Sequence, residues 1–182
     1  IEPTYALAED FNVDIVWKPY VLDIPSFLGS AEVGAKDNRV KEGTNKRSSS
    51  QWRAVKYAYT NVRRYAAERK PPLVVYGTRK IWDSTLAGIA MLFALSRGQE
   101  KFRSFQQRLW PLFWRRQLDA EDPRALMRVL EEAGIDPRGF EDFAAGRGHE
   151  LLAEIQREAS ARGIFGVPSY VLEGDDQLLF GR

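Results

Sequence analysis

The sequence predicts an α/β fold in which a long helical segment interrupts the part that carries the strands. Residues 13–22 alternate apolar and polar side chains, which is typical of a strand. Residues 50–161 have apolar residues at intervals of three and four almost throughout, which indicates helices. Residues 169–180, SYVLEGDDQLLF, place two apolar runs on either side of GDD and predict a hairpin. The order of these elements favours an α/β plan with a helical insertion.

The first two elements are a helix and a strand. Helical spacing of Leu7 and Phe11 predicts a helix over residues 3–12, and Asn12 tolerates the left-handed conformation that ends many helices. The strand that follows is expected to run until Pro19 interrupts it. The apolar residues on one face of this strand are Val13, Ile15 and Trp17.

Residues 23–50 are rich in Gly, Ser, Lys and Asn and predict a long loop. The next helix, over residues 50–70, is expected to stop at a Pro-Pro pair. A further helix begins with Asp83 or Ser84 as its N-cap and stops at Gly98. The helix after it, over residues 101–118, contains Pro111 and is expected to bend there.

Two shorter helices are predicted from the same start and stop signals. EDPRALMRVLEEAG and IDPRGFEDFAAG each offer Asp as a cap, Pro at the first helical position and Gly past the end. The last helix is predicted over residues 149–163, directly before the hairpin. We therefore expect the middle of the chain to be all helical.

Composition excludes several functional classes. The chain has 182 residues, about the size of one domain, and its hydrophobic and charged fractions of 44% and 29% are those of a soluble globular protein. It has no cysteine, so a dithiol centre or disulfide within these residues is excluded. The lone histidine, His149, leaves little for a metal cluster or a triad, and no metal site is predicted.

Charge and hydropathy give no reason to expect a nucleic-acid or membrane partner. The net charge is +2, and the basic residues are interleaved with acids and aromatics at helical spacing. No apolar run reaches the roughly 20 residues of a membrane span, and no signal-peptide pattern opens the chain. We therefore expect a cytoplasmic protein.

A proline directly before the first hairpin strand carries the clearest functional hint. In FGVPSYVLEG, Pro168 removes an amide that a strand would use for pairing. A cis Val167–Pro168 bond costs little over trans, and such a turn would expose the amide and carbonyl of Val167 to an extended ligand. The alternative is a trans proline that begins an edge strand.

The chain resembles a known family along nearly its whole length. FGVPSYVLEG followed by LLFGR is similar to the closing half of DsbA-like thioredoxin-fold proteins. With ALAEDFNVDIVWKPYVL, TNK and IWDSTLAGIAMLFA in this order, it resembles 2-hydroxychromene-2-carboxylate isomerases and the related kappa-class glutathione transferases. The resemblance implies a thioredoxin-like domain made of residues 1–49 and 151–182, split by a helical insertion over residues 50–150.

The same resemblance implies that no catalytic residue lies within the chain. Relatives begin with a strand that leads into a motif such as Ser-Pro-Tyr, whose serine sits at the glutathione sulfur. ALAEDFNVDIVWKPY aligns without a gap to the family's helix-to-strand passage, so we expect that serine and the first strand before Ile1. The C-terminal helix of the family is likewise expected beyond FGR.

For glutathione, the resemblance implies binding at Gly166, Val167 and Pro168, with the proline in the cis form. Ile155 stands where relatives often carry a polar residue near glutathione, which is a departure from the family. A homodimer is expected by analogy only.

For the substrate, expected to be a small aromatic carboxylate, the implied residues are Asn45, Lys46, Trp82 and Asp83. A carboxylate needs a cation and hydrogen-bond donors, which Asn45 and Lys46 can supply. The plainer interpretations are a solvated loop for those two residues, an N-cap for Asp83 and a core aromatic for Trp82. Asp83 also replaces the Asn that is common in relatives, which adds an anion.

The predicted function is that of a glutathione-dependent isomerase acting on an aromatic-degradation intermediate by reversible thiolate addition. One alternative is a DsbA-like thiol-disulfide oxidoreductase, which would need a Cys-x-x-Cys before Ile1. Another is a binding module on a thioredoxin scaffold that has lost its chemistry. The fold alone does not choose among these three.

Overall fold

A computed structural model describes residues 2–174 and 177–181. The described part contains eight helices and one antiparallel sheet of two strands, so it is mostly helical. The expected α/β class is therefore represented by a hairpin only. The helices are α1 (Glu2–Phe11), α2 (Ile24–Leu28), α3 (Ser49–Glu68), α4 (Thr85–Leu95), α5 (Gln99–Trp114), α6 (Pro123–Glu132), α7 (Phe140–Ala145) and α8 (Arg147–Ala161), and the strands are β1 (Ser169–Val171) and β2 (Leu178–Phe180).

Helix α1 ends as its sequence predicts. Asn12 follows its last residue with φ of 51°, the left-handed conformation that asparagine tolerates. The amide of Val13 then donates to the carbonyl of Ala8 at 3.2 Å and closes the end of the helix.

The strand predicted from Val13 up to Pro19 is wrong. The segment has no regular secondary structure, and none of the described residues forms a strand beside it. The predicted alternation is kept in part, with Ile15 and Trp17 partly buried and Pro19 buried but Val13 exposed. Its backbone is instead held at one point by a side chain, since Gln156 accepts from the Val21 amide at 3.2 Å and donates to the Val21 carbonyl at 3.0 Å. Alternation reports which face is buried, whereas a strand also needs a pairing partner.

The long loop predicted over residues 23–50 contains one short helix, α2. Asp23 caps it by accepting from the amide of Ser26 at 3.3 Å, a signal that the sequence prediction missed. Helix α3 then begins with a capping box, in which the side chains of Ser48 and Gln51 each accept from the other's backbone amide.

The hydrophobic core lies among helices α4 to α8. Helix α4 is apolar on nearly all sides and contacts α5, α6, α7 and α8, so it is the central helix of this bundle. The largest fully buried side chains are Phe102, Phe105, Phe140, Ile89, Leu109, Leu126 and Leu130.

Helices α6 and α7, which were predicted from the same Asp-Pro start and Gly stop, differ in how they begin. Asp122 caps α6 by accepting from the amide of Arg124 at 3.0 Å, as predicted. The predicted cap at Asp136 is wrong, because Gly139 adopts φ of 82° and α7 begins only after it. Asp136 binds Arg138 instead, and this hydrogen bond lowers the pKa of Asp136 to about 2.

The predicted hairpin is confirmed. Its strands β1 and β2 pair in a register that places Ser169 opposite Phe180 and Val171 opposite Leu178. Asp175 and Asp176 of the predicted turn lie outside the described residues. The division into residues 1–49 with 151–182 and residues 50–150 stays a prediction.

Candidate functional site

The turn before β1, residues 166–168, offers an unpaired piece of backbone. The peptide bond between Val167 and Pro168 is cis, as expected. On the two sides of Val167 the backbone is held, because Ser169 Oγ donates to the Gly166 carbonyl at 2.7 Å and the Gly181 amide donates to the Pro168 carbonyl at 3.0 Å. Val167 is 46% exposed, and its own amide and carbonyl make no hydrogen bond to any described residue.

Gly166 lies close to the ring of Phe180. A Cβ atom at this position would lie 2.8 Å from Cε2 of Phe180, so a larger residue would require this exposed ring to shift. The Phe180 ring also packs on Phe165, with ring centroids 4.5 Å apart. The Phe180 side chain of β2 therefore covers the backbone immediately before Val167.

The first turn of α1 lies next to the hairpin. The Thr4 hydroxyl is buried and hydrogen-bonded to the Tyr170 hydroxyl at 3.0 Å, two residues beyond Pro168. The neighbouring Tyr5 hydroxyl donates to Oε1 of Gln106 in α5 at 2.9 Å. The N-terminal end of a helix carries partial positive charge, which favours an anion near it.

Asn45 and Lys46 lie in the loop that leads to α3. Oδ1 of Asn45 accepts from the Arg47 amide and from Nε1 of Trp52, both at 3.1 Å, so this side chain organises the start of the helix. The Lys46 amide donates to the Ser30 carbonyl at 2.7 Å, and its side chain is exposed. Neither residue is hydrogen-bonded to the turn at residues 166–168 in the described part of the chain.

Asp83 lies one residue before Ser84, which is the N-cap of α4 and makes no side-chain capping hydrogen bond. Oδ1 of Asp83 accepts from the amide of Thr85, the first residue of α4, at 2.9 Å, and the Asp83 amide donates to Oε1 of Glu121 at 2.9 Å. Hydrogen bonds from the Thr85 side chain and from its amide lower the pKa of Asp83 below its ordinary value. A carboxylate engaged in this way stabilises the helix whether or not a ligand is present.

Replacing Asp83 by alanine is expected to destabilise the protein by about 1 kcal/mol, because the Thr85 amide loses its acceptor. Asp83→Asn is expected to cost less, since an amide oxygen can still cap the helix. Because the folded pKa of Asp83 is lowered, its contribution is present above the ordinary pKa and is lost as pH falls through the folded pKa. Urea denaturation at neutral and acidic pH measures both effects. An Asp83→Ala variant as stable as the parent at neutral pH would contradict this role.

Trp82 lies beside a cleft that the sequence did not reveal. The cleft, of about 420 Å³, is called the Trp82 cleft here and none of residues 166–168 lines it. Lys80 Nζ lies 4.4 Å from the centroid of the Trp82 ring, and Phe113 meets the ring edge-on at 6.4 Å. The residues that line the cleft include Val33, Arg79, Trp82, Phe113, Arg116 and Leu118.

Arg79 and Arg116 could not be predicted as neighbours from the sequence, because the walls of the cleft come from three distant segments. The one local signal was TRKIW, in which two cations directly precede an apolar pair.

Among the described residues there is no cluster of three or more His, Cys, Asp or Glu that could hold a metal ion. Within the same residues, no helix has the length and apolar character needed to cross a membrane.

Comparison with known proteins supplies the family. The profile of the DSBA-like thioredoxin domain matches residues 4–182, and the chain therefore belongs to this family. A comparison with curated protein sequences gives no match. The match covers the hairpin, its proline turn and all the helices from α2 to α8.

Proposed function

We propose that the protein binds glutathione at residues 166–168 and is a glutathione-dependent isomerase of an aromatic carboxylate. One observation carries this proposal: Val167 presents a backbone amide and carbonyl that have no partner among the described residues, while both neighbouring carbonyls are occupied. An extended peptide can add to such an edge as a further strand. Glutathione is a short peptide with the main-chain groups that this pairing requires.

The chemistry also points to an external thiol. The chain contains no cysteine, so none of its 182 residues can supply a sulfur nucleophile. Bound glutathione would supply a thiolate that adds reversibly to a conjugated double bond, permits rotation about the resulting single bond, and leaves. The contribution of residues 166–168 is to orient the tripeptide through the Val167 backbone.

Fewer residues are proposed to contact the substrate than the sequence alone suggested. Asn45 and Asp83 each have a role in folding that accounts for their hydrogen bonds, so they are weak candidates for contacting substrate. Trp82 remains proposed as an aromatic surface for a carboxylate-bearing ring. Lys46 remains proposed as a cation for the substrate, although it is not among the residues that line the cleft at Trp82. Cytoplasmic location and a homodimer also remain predictions.

Isothermal calorimetry with glutathione tests the proposal, using a matched pair of variants at one position. Val167→Ala shortens the side chain but keeps the amide, so we expect affinity close to that of the parent. Val167→Pro removes the amide donor, and we expect at least about tenfold weaker binding, as for the loss of a hydrogen bond that leaves a ligand acceptor unpaired. Circular dichroism on both variants checks that the fold is kept.

The two variants also separate the outcomes. Equal affinities for glutathione in Val167→Ala and Val167→Pro would contradict backbone pairing at this turn. Absence of heat when the parent protein is titrated with millimolar glutathione would contradict glutathione as the cofactor.

A further inference from the structure

The Trp82 cleft has an apolar wall built from three parts of the chain. Val33 comes from the loop after α2, Trp82 from the segment before α4, and Phe113 from the end of α5, with Leu118 just beyond it. A volume of about 420 Å³ is within the range of small-molecule sites. The half-buried rings of Trp82 and Phe113 offer a surface on which a planar ligand can pack.

Two of the four cations that line the cleft are neutralised by carboxylates. Lys41 Nζ lies 2.9 Å from Oε2 of Glu32, and Lys80 Nζ lies 2.6 Å from Oε2 of Glu121. The hydrogen bond from Lys80 lowers the pKa of Glu121, and that from Lys41 lowers the pKa of Glu32. Each pair joins one cation to one carboxylate and therefore adds little net charge to the cleft.

Arg116 is a fixed positive charge without a carboxylate partner among the described residues. Its Nε donates to the Gly77 carbonyl at 2.7 Å, Nη2 to the Tyr76 carbonyl at 3.2 Å, and Nη1 to Oδ1 of Asn38 at 2.9 Å. These neutral acceptors hold the guanidinium in place and leave its charge uncompensated. The remaining anion in the lining is Asp119, whose Oδ1 accepts from the Glu121 amide at 2.9 Å.

Arg79 is the cation in the cleft that is available to a ligand. Its side chain makes no hydrogen bond or ion pair with any residue that the structure describes, whereas its backbone is fixed because its carbonyl accepts from the Val33 amide at 2.8 Å. Its five N–H donors suit a carboxylate or another planar oxyanion. With Arg79 included, the four cations exceed the carboxylates of Glu32, Asp119 and Glu121 by one positive charge.

We infer that the Trp82 cleft is a binding site for a planar organic anion, with its ring against Trp82 and Phe113 and its anionic group on Arg79. This inference rests on the substrate part of the proposed function, which also places an aromatic anion at Trp82, but it does not rest on glutathione binding, because residues 166–168 contribute nothing to the lining. It can therefore be tested without glutathione.

Calorimetry with 2-naphthoate and its neutral analogue 2-naphthamide provides the test. We expect naphthoate to bind at least about fivefold more tightly than naphthamide to the parent protein. Arg79→Gln is expected to reduce naphthoate affinity to the level of naphthamide and to leave naphthamide binding unchanged. Trp82→Leu is expected to weaken both ligands. Arg124→Gln, which removes an exposed cation outside the cleft, serves as the matched control.

Three results would overturn the inference. They are equal affinities of the parent for naphthoate and naphthamide, no heat with naphthoate, and equal losses of naphthoate affinity in Arg79→Gln and Arg124→Gln. Because Val167 variants keep the cleft intact, a failure of glutathione to bind would leave the naphthoate result unaffected.

Discussion

Replacing Phe105 by alanine is expected to destabilise the fold by about 3 to 5 kcal/mol. Phe105 lies in α5, is fully buried, and packs in the cluster that surrounds α4. Truncation removes apolar surface from the core and leaves a cavity that the surrounding helices can fill only in part. Because a domain of this size is stable by about 5 to 15 kcal/mol, the loss is a large fraction of the total.

Denaturant unfolding followed by circular dichroism measures this loss. Phe27→Ala is the matched control, since Phe27 is 63% exposed and its truncation is expected to change stability by less than about 0.5 kcal/mol. Similar unfolding free energies for Phe105→Ala and Phe27→Ala would contradict the placement of the core among helices α4 to α8.

Two buried helical glycines are expected to respond in opposite ways to alanine. Gly148 lies in the first turn of α8, where a Cβ atom would be 2.5 Å from Cγ2 of Ile89 and 2.8 Å from the carbonyl oxygen of Phe143. The second contact is with backbone, which cannot move aside as a side chain can. We expect Gly148→Ala to destabilise the protein by about 1 to 3 kcal/mol through overpacking.

Gly88 lies inside α4, and a Cβ atom there would meet its nearest neighbours, on Leu152, at 3.6 Å. This is ordinary van der Waals contact, so alanine gains helix propensity without a clash. We expect Gly88→Ala to stabilise the protein by up to about 1 kcal/mol. Unfolding midpoints that shift in the same direction for both variants would contradict the packing of α8 against α4.

Local signals predicted the helices well. The cap at Asp122, the acceptor that Asp83 offers to the first amide of α4, and the left-handed stop at Asn12 lie within a few residues of the backbone groups that they satisfy. The start of α7 was predicted wrongly. Gly139 adopts a positive φ, and the helix begins after it and not at the Asp-Pro pair that precedes it.

Features that depend on distant parts of the chain were predicted poorly. Residues 13–22 have the alternation of a strand, but a strand requires a partner that alternation does not encode. The Trp82 cleft joins Val33, Arg79 and Phe113, whose proximity no local pattern records. The cis proline turn was predicted because the resemblance to DsbA-like proteins supplied long-range information that the ten residues around Pro168 lack.

The central claim is that glutathione pairs with the backbone of Val167. A titration of the ¹⁵N-labelled protein with glutathione, followed by amide NMR spectra, tests it most directly. We expect saturable shifts at the amides of Gly166, Val167 and Ser169, with the amide of Arg79 in the Trp82 cleft unaffected. Unchanged signals for residues 166–169 at millimolar glutathione, or shifts confined to other parts of the chain, would contradict it.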